Sequence, residues 1–124
     1  MATACCRAAE VLHTAGVVHR DFRMANIVQL KPEVYMVIDL ETVGRKVANP
    51  LPASFALTGW NSRTLNKARK YTTASDMHQI GLMIEEQLQG VVEASEEAWD
   101  FCEHLMRKNE SAKGALKHAW LLQE

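Results

Sequence analysis

The chain has 124 residues, of which 48% are hydrophobic and 23% charged, with a formal net charge of −1 at neutral pH. These values fit one globular domain with one core and exclude a disordered chain. They also exclude a general nucleic-acid binder, which needs clustered Lys and Arg, and no apolar run approaches the roughly 20 residues of a membrane-spanning helix.

At the N-terminus, Ala8, Val11, Leu12 and Ala15 follow helical spacing and Gly16 is a suitable stop, so a helix is expected up to about Ala15 with that stripe inward. Arg7 and Glu10 interrupt the apolar start, so no signal peptide is visible. The three cysteines, Cys5, Cys6 and Cys102, cannot all pair, and Cys5-Cys6 lacks a second Cys or His pair at zinc-ligand spacing. A reduced protein of the cytoplasm or nucleus is the expectation, with neither a nucleic acid nor a membrane as partner.

Two β-like runs follow, Asn26 to Leu30 and Tyr35 to Asp39, joined by Lys31-Pro32-Glu33, in which Pro presets φ for a tight turn. A hairpin is expected. From Thr42 to Thr73 the pattern breaks down around Asn49-Pro50, Pro52 and Gly59, as in a long functional loop. Lys67, Arg69 and Lys70 within it read as a solvated face. A helix resumes near Ser75, a candidate cap, with Met77, Ile80, Gly81, Ile84 and Leu88 on one face and Gly90 at its end. Ala98, Phe101, Cys102, Leu105 and Met106 form the clearest amphipathic stripe, and a last short helix is expected from Lys113 to Leu122. The expected fold class is α+β, mostly α, with one small β-hairpin.

The polar residues cluster around that hairpin. Asp21 and Arg23 precede its first strand, Asn26 opens it and Asp39 closes the second. A hairpin sets the start of one strand beside the end of its partner, so Asn26 and Asp39 are expected to meet with Asp21 close by. Amide and carboxylate oxygens suit Mg²⁺. Arg23 suits a phosphoryl group, and Asp21 suits a base for a hydroxyl nucleophile. Asp76, just inside a helix N-terminus, suits a structural carboxylate that accepts backbone N–H bonds.

The stretch "VVHRDFRMANIV" resembles the catalytic loop of protein kinases, H-R-D-L-x-x-x-x-N, and "VIDLE" stands where that family has D-F-G, 18 residues after Asp21. "VLHTAGVVHRD", "YTTASDMHQIGLMI" and "ALKHAWL" resemble the family's approach to that loop, the helix after its activation segment and its C-terminal motif, in the family's order. The resemblance implies a protein-kinase-like domain over residues 1–124, C-lobe only, with 42–73 as an activation-segment-like loop. It implies ATP as substrate, Mg²⁺ as cofactor and a protein Ser/Thr hydroxyl as acceptor. It makes Asp21 the base, Arg23 the γ-phosphate contact in place of the usual Lys, and Asn26 and Asp39 the metal ligands. Val28 would lie beneath adenine, and His19 and Leu40 would pack together under the site. Asp76 would tie down the catalytic-loop backbone. The H-R-D form at Arg20 is often linked to activation-loop phosphorylation.

The departures from the pattern are specific. No G-x-G-x-x-G and no V-A-I-K-like strand precedes His19, and no A-P-E lies between Thr58 and Thr73. The phosphate clamp therefore has no counterpart, which implies a chain inactive on its own and an apolar surface around Val28 and Leu40 open to a protein partner. Glu41 replaces the Gly of D-F-G, as in the I-D-F-E of choline-kinase-like enzymes. A stand-alone pseudokinase acting as an interaction module, and a small-molecule phosphotransferase relative, are the alternatives.

Overall fold

The computed structural model describes residues 1–49, 70–108 and 110–123. The fold is α+β and mostly helical, as the patterning implies. Helix α1 spans Ala2–Thr14 and buries Ala2, Cys5, Cys6 and Ala9, a stripe at i, i+3, i+4 and i+7. That is not the expected face: Val11 is 69% exposed and Ala15 is exposed too. The small side chains of the observed stripe let α1 approach its neighbours closely, whereas Val11 would hold them apart.

After Gly16, whose φ of +84° turns the chain out of the helix, comes the two-residue strand β1 (Val17–Val18). The hairpin follows as β2 (Ile27–Lys31) and β3 (Val34–Val37), with Ile27 opposite Val37, Val28 opposite Met36 and Gln29 opposite Tyr35. A bulge between Gln29 and Lys31 and the left-handed Glu33 (φ +66°) complete the reversal. Ile27 and Val37 pack against the core, while Leu30 and Met36 face outward and are exposed. A second strand pair runs antiparallel between β1 and β4 (Gly44–Arg45) and returns the chain to the loop entrance. The long 42–73 segment is described at its two ends, where Ala48 bridges Tyr71; its interior, with Lys67 and Arg69, lies outside the described residues, and Lys70 is exposed.

Helix α2 (Thr73–Leu88) is the centre of the fold. Thr72, not Ser75, is its N-cap; Ser75 sits at the third helical position and its Oγ accepts the Thr72 N–H at 2.9 Å. Met77, Ile80, Gly81, Ile84 and Leu88 are all buried as expected, and so are Ser75, Asp76 and Gln79. α2 packs on α1 and on α3 (Glu96–Arg107), which Ser95 caps by accepting the Ala98 N–H. The expected last helix is only α4 (Ala112–Ala115), followed by three-residue turns through Leu122. Among the described residues, no helix is long and apolar enough to cross a membrane.

Gly81 sets the distance between α2 and α3. A Cβ there would lie 2.6 Å from Met106 Cγ and 3.1 Å from Leu105 Cβ. Gly81→Ala gains up to about 1 kcal/mol of helix propensity but overpacks a close helix crossing at a cost of about 1–3 kcal/mol. The expected net effect is destabilisation, read as a lower urea midpoint at constant m-value.

Burial pushes the thiols of Cys5, Cys6 and Cys102 up from 9.0 to about 12. Folded thiols keep their protons where unfolded ones lose them, so this stability is present below about pH 9 and falls as pH rises through the interval up to about 12. The denaturation midpoint should decline as pH rises from about 9 toward about 12. The double variant Cys5→Ala, Cys6→Ala should show a flatter alkaline limb in the same titration.

Candidate active site

The loop His19–Arg23 lies between the N-terminal half of α2 and the hairpin. Its backbone is held by two side chains one turn apart on α2. Asp76 Oδ2 accepts the His19 N–H at 2.9 Å, and Oδ1 accepts the Arg20 N–H at 3.0 Å. Gln79 Oε1 accepts the Phe22 N–H at 2.9 Å, while its Nε2 donates to the Arg20 carbonyl at 3.1 Å. Residues at i and i+3 share a helix face, so Asp76 and Gln79 together bind four backbone groups of the loop, on His19, Arg20 and Phe22.

Asp76 has two further donors. Tyr71 Oη–H reaches Oδ1 at 2.6 Å, and His13 Nε2 reaches Oδ2 at 2.7 Å. A carboxylate only accepts, so His13 is the tautomer, or the cation, with its proton on Nε2. The four donors come from α1, the loop and the residue before the Thr72 cap, and two of them are backbone N–H groups, as expected of Asp76. Burial, then the neighbouring Asp76 charge, push the Tyr71 hydroxyl well above its ordinary range.

Arg20 carries the conformational cost of this arrangement. Its φ of +76° is left-handed, which costs a side-chain-bearing residue about 1–2 kcal/mol. The bonds from Asp76 and Gln79 to its two peptide groups hold it there. The guanidinium turns back over the segment after the hairpin, donating from Nε to the Thr42 carbonyl and from Nη1 to the Asn49 carbonyl, both at 2.7 Å. Those carbonyls occupy an arginine that the H-R-D resemblance links to a phosphorylated loop.

Within the loop, His19 is fully buried and its ring is fixed at both nitrogens. Nδ1 accepts the Asp21 N–H at 3.1 Å, so Nε2 carries the proton and donates to the Ile38 carbonyl at 3.0 Å. The ring lies 4.7 Å from that of Phe22, tilted by 34°. His19 does not bury Leu40 as expected: Leu40 is 61% exposed, on the single turn Leu40–Thr42. The bond to Ile38 instead ties the loop to the end of β3.

Asp21, Arg23 and Asn26 are brought together. Arg23 Nε lies 3.2 Å from Asp21 Oδ2. Asn26 Nδ2 donates to the same Oδ2 at 3.0 Å and to the Asp21 carbonyl at 2.9 Å. Asp21 Oδ1 is buried and takes no hydrogen bond among the described residues. With Nδ2 committed to Asp21, the Asn26 side chain has its Oδ1 to offer. The Asn26 carbonyl accepts the Ile38 N–H at 2.8 Å, which sets Asn26 beside the residue preceding Asp39. Asp39 is half-buried and left-handed (φ +67°), and its carboxylate takes no hydrogen bond from another described residue. Val28 is half-buried on the outward side of β2, opposite Met36.

Gln79, His13, Tyr71 and the β1–β4 pair are functional supports that the sequence patterning does not announce. The signal that could find Gln79 is its i, i+3 spacing from Asp76 on an otherwise apolar stretch. No protein-family model matches the chain, and no curated protein matches its sequence.

Asp76→Ala should leave four donors without their acceptor, two of them loop N–H groups. Losing bonds to a buried charge costs about 3 kcal/mol or more. Chemical denaturation should show that loss, and Gln79→Leu should show a smaller one of about 1–2 kcal/mol.

Proposed function

We propose that this chain carries the catalytic-loop half of a protein-kinase-type phosphotransferase, one that transfers the γ-phosphoryl of Mg·ATP to a protein Ser/Thr hydroxyl. The observation that carries the reading is the contrast between two buried aspartates. Asp76 has both oxygens saturated by four donors, which makes it structural. Asp21 has one buried oxygen that takes no hydrogen bond among the described residues, beside the Arg23 guanidinium, which leaves it able to accept from a substrate hydroxyl.

In this reading the acceptor hydroxyl donates its hydrogen bond to Asp21 Oδ1 and passes its proton there as attack proceeds. Asn26 Nδ2 and Arg23 on Oδ2 hold the carboxylate plane. Arg23, whose side chain is 32% exposed, would face the charge of the transferring group. Asn26 Oδ1 and the Asp39 carboxylate, which takes no hydrogen bond from another described residue, would supply oxygen ligands of the kind that Mg²⁺ prefers. The metal, when bound, supplies charge neutralisation between the phosphates. The outward side of the hairpin, with Val28 and Met36, offers the apolar face for adenine.

A second reading, a protein-interaction module of pseudokinase type, is favoured by the apolar side chains left exposed on that face, Leu30, Met36 and Leu40. The two readings separate on nucleotide chemistry. Mg·ATP titrated into the protein should shift the backbone amide resonances of Asn26 and Asp39, and Asp39→Ala should abolish the Mg²⁺ dependence of those shifts. Absence of any Mg-dependent shift would leave only the interaction reading. In a phosphotransfer assay, Asp21→Asn should lose at least about a hundredfold in rate at unchanged melting temperature. An Asp21→Asn enzyme of undiminished rate would overturn the assignment of the base.

A further inference from the structure

On the far side of α3 from α2's buried loop contacts, three side chains converge that the proposed phosphotransferase does not use. Asp100 and His104 lie at i and i+4 on α3, and His118 comes from the turns after α4. One donor atom from each lies within 4.8 Å of the other two. His118 Nε2 is 2.9 Å from Asp100 Oδ2, and His104 Nε2 is 3.4 Å from the same oxygen. We propose that Asp100, His104 and His118 bind a Zn²⁺ ion that clips the C-terminal turns to α3.

The geometry suits zinc. Metal–ligand bonds of about 2.0–2.1 Å in a tetrahedron place ligand atoms roughly 3.3 Å apart. Two edges of the triangle stand close to that spacing without an ion. The donors are two imidazoles and one carboxylate, a set that suits zinc better than Mg²⁺.

A second group supports the first. Glu110 Oε2 lies 3.3 Å from His104 Nδ1, the nitrogen that a metal on Nε2 leaves to carry the proton. Metal-bound histidines are oriented by such a carboxylate. Glu110 is itself placed by its N–H on the His104 carbonyl and by close packing on Gly114, where a Cβ would lie only 1.8 Å from Glu110 Oε1. The fourth position faces solvent, since Asp100 is 51% exposed.

The metal-free state has one feature that binding must change. His118 Nδ1 accepts the Trp120 N–H at 3.1 Å, so the Nε2 proton points at Asp100. Zinc on Nε2 moves that proton to Nδ1 and releases the Trp120 N–H. Trp120 packs 5.2 Å from Phe101, so its amide and its indole both report on the change.

The test is Zn²⁺ titration of the metal-stripped full chain, followed by calorimetry and amide NMR. One Zn²⁺ per chain is expected, with a Kd of roughly 10 µM or tighter and a shift of the Trp120 amide. Asp100→Asn and His104→Gln should each weaken binding by at least about tenfold, and Glu110→Gln by about 10–100-fold. Glu103→Gln, which removes the Arg107 partner on the same helix, should leave binding unchanged. Asp100 is exposed, so its variant tests the site even where His118→Gln fails to fold. No stoichiometric uptake, uptake indifferent to His104→Gln, or uptake without a Trp120 shift would each overturn the proposal.

Discussion

A single buried carboxylate organises this fold. Asp76 has no solvent exposure, and such a charge survives burial only when its oxygens are fully engaged. Here the four donors belong to parts of the chain far apart in sequence: His13 on α1, His19 and Arg20 in the loop, and Tyr71 at the end of the long segment. Every one of those parts must be in place before the charge is satisfied. The interaction therefore acts as a selector among compact states more than as a source of net stability.

The loop inherits its shape from that anchor. Its turn needs a left-handed residue at Arg20, and the hairpin end needs another at Asp39. Neither is glycine, so both carry strain that neighbouring bonds must hold. Strained backbone of this kind collects where a structure presents groups in a required direction. Between the two residues, the neutral His19 ring bridges the loop to the Ile38 carbonyl, so the loop and the hairpin end move as one body. The chemically distinctive groups, Asp21 and Asn26, sit on that body.

The residues that form the site are legible in sequence because they are polar, closely spaced and next to a hairpin announced by two β-like runs and the Lys31-Pro32-Glu33 turn between them. The supports are less legible. Gln79 in a helix is usually an ordinary surface residue, and nothing local marks it as buried. The inward face of α1 is made of Ala and Cys, which hydropathy weighs less than the Val11 left outside. β1 and β4 are two residues each, too short to alternate, and pair only because the hairpin returns the chain there. The helical spacing of Lys113 to Leu122 overstates α4, because Gly114 packs against Glu110 and the later turns close at three residues rather than four.

The segment after the hairpin is attached to the loop by a hydroxyl, a strand pair and an arginine. Thr42 Oγ1 donates to the His19 carbonyl at 2.7 Å, β4 pairs with β1, and Arg20 grips the carbonyls of Thr42 and Asn49. Arg20 is also the strained residue of the loop. Force applied along the chain at Asn49 is thus delivered to a backbone position already displaced from its preferred basin. Tension there would be felt at Asp21, the adjacent residue, before any of the helices had shifted: the loop is geared to the segment, with the guanidinium as the tooth.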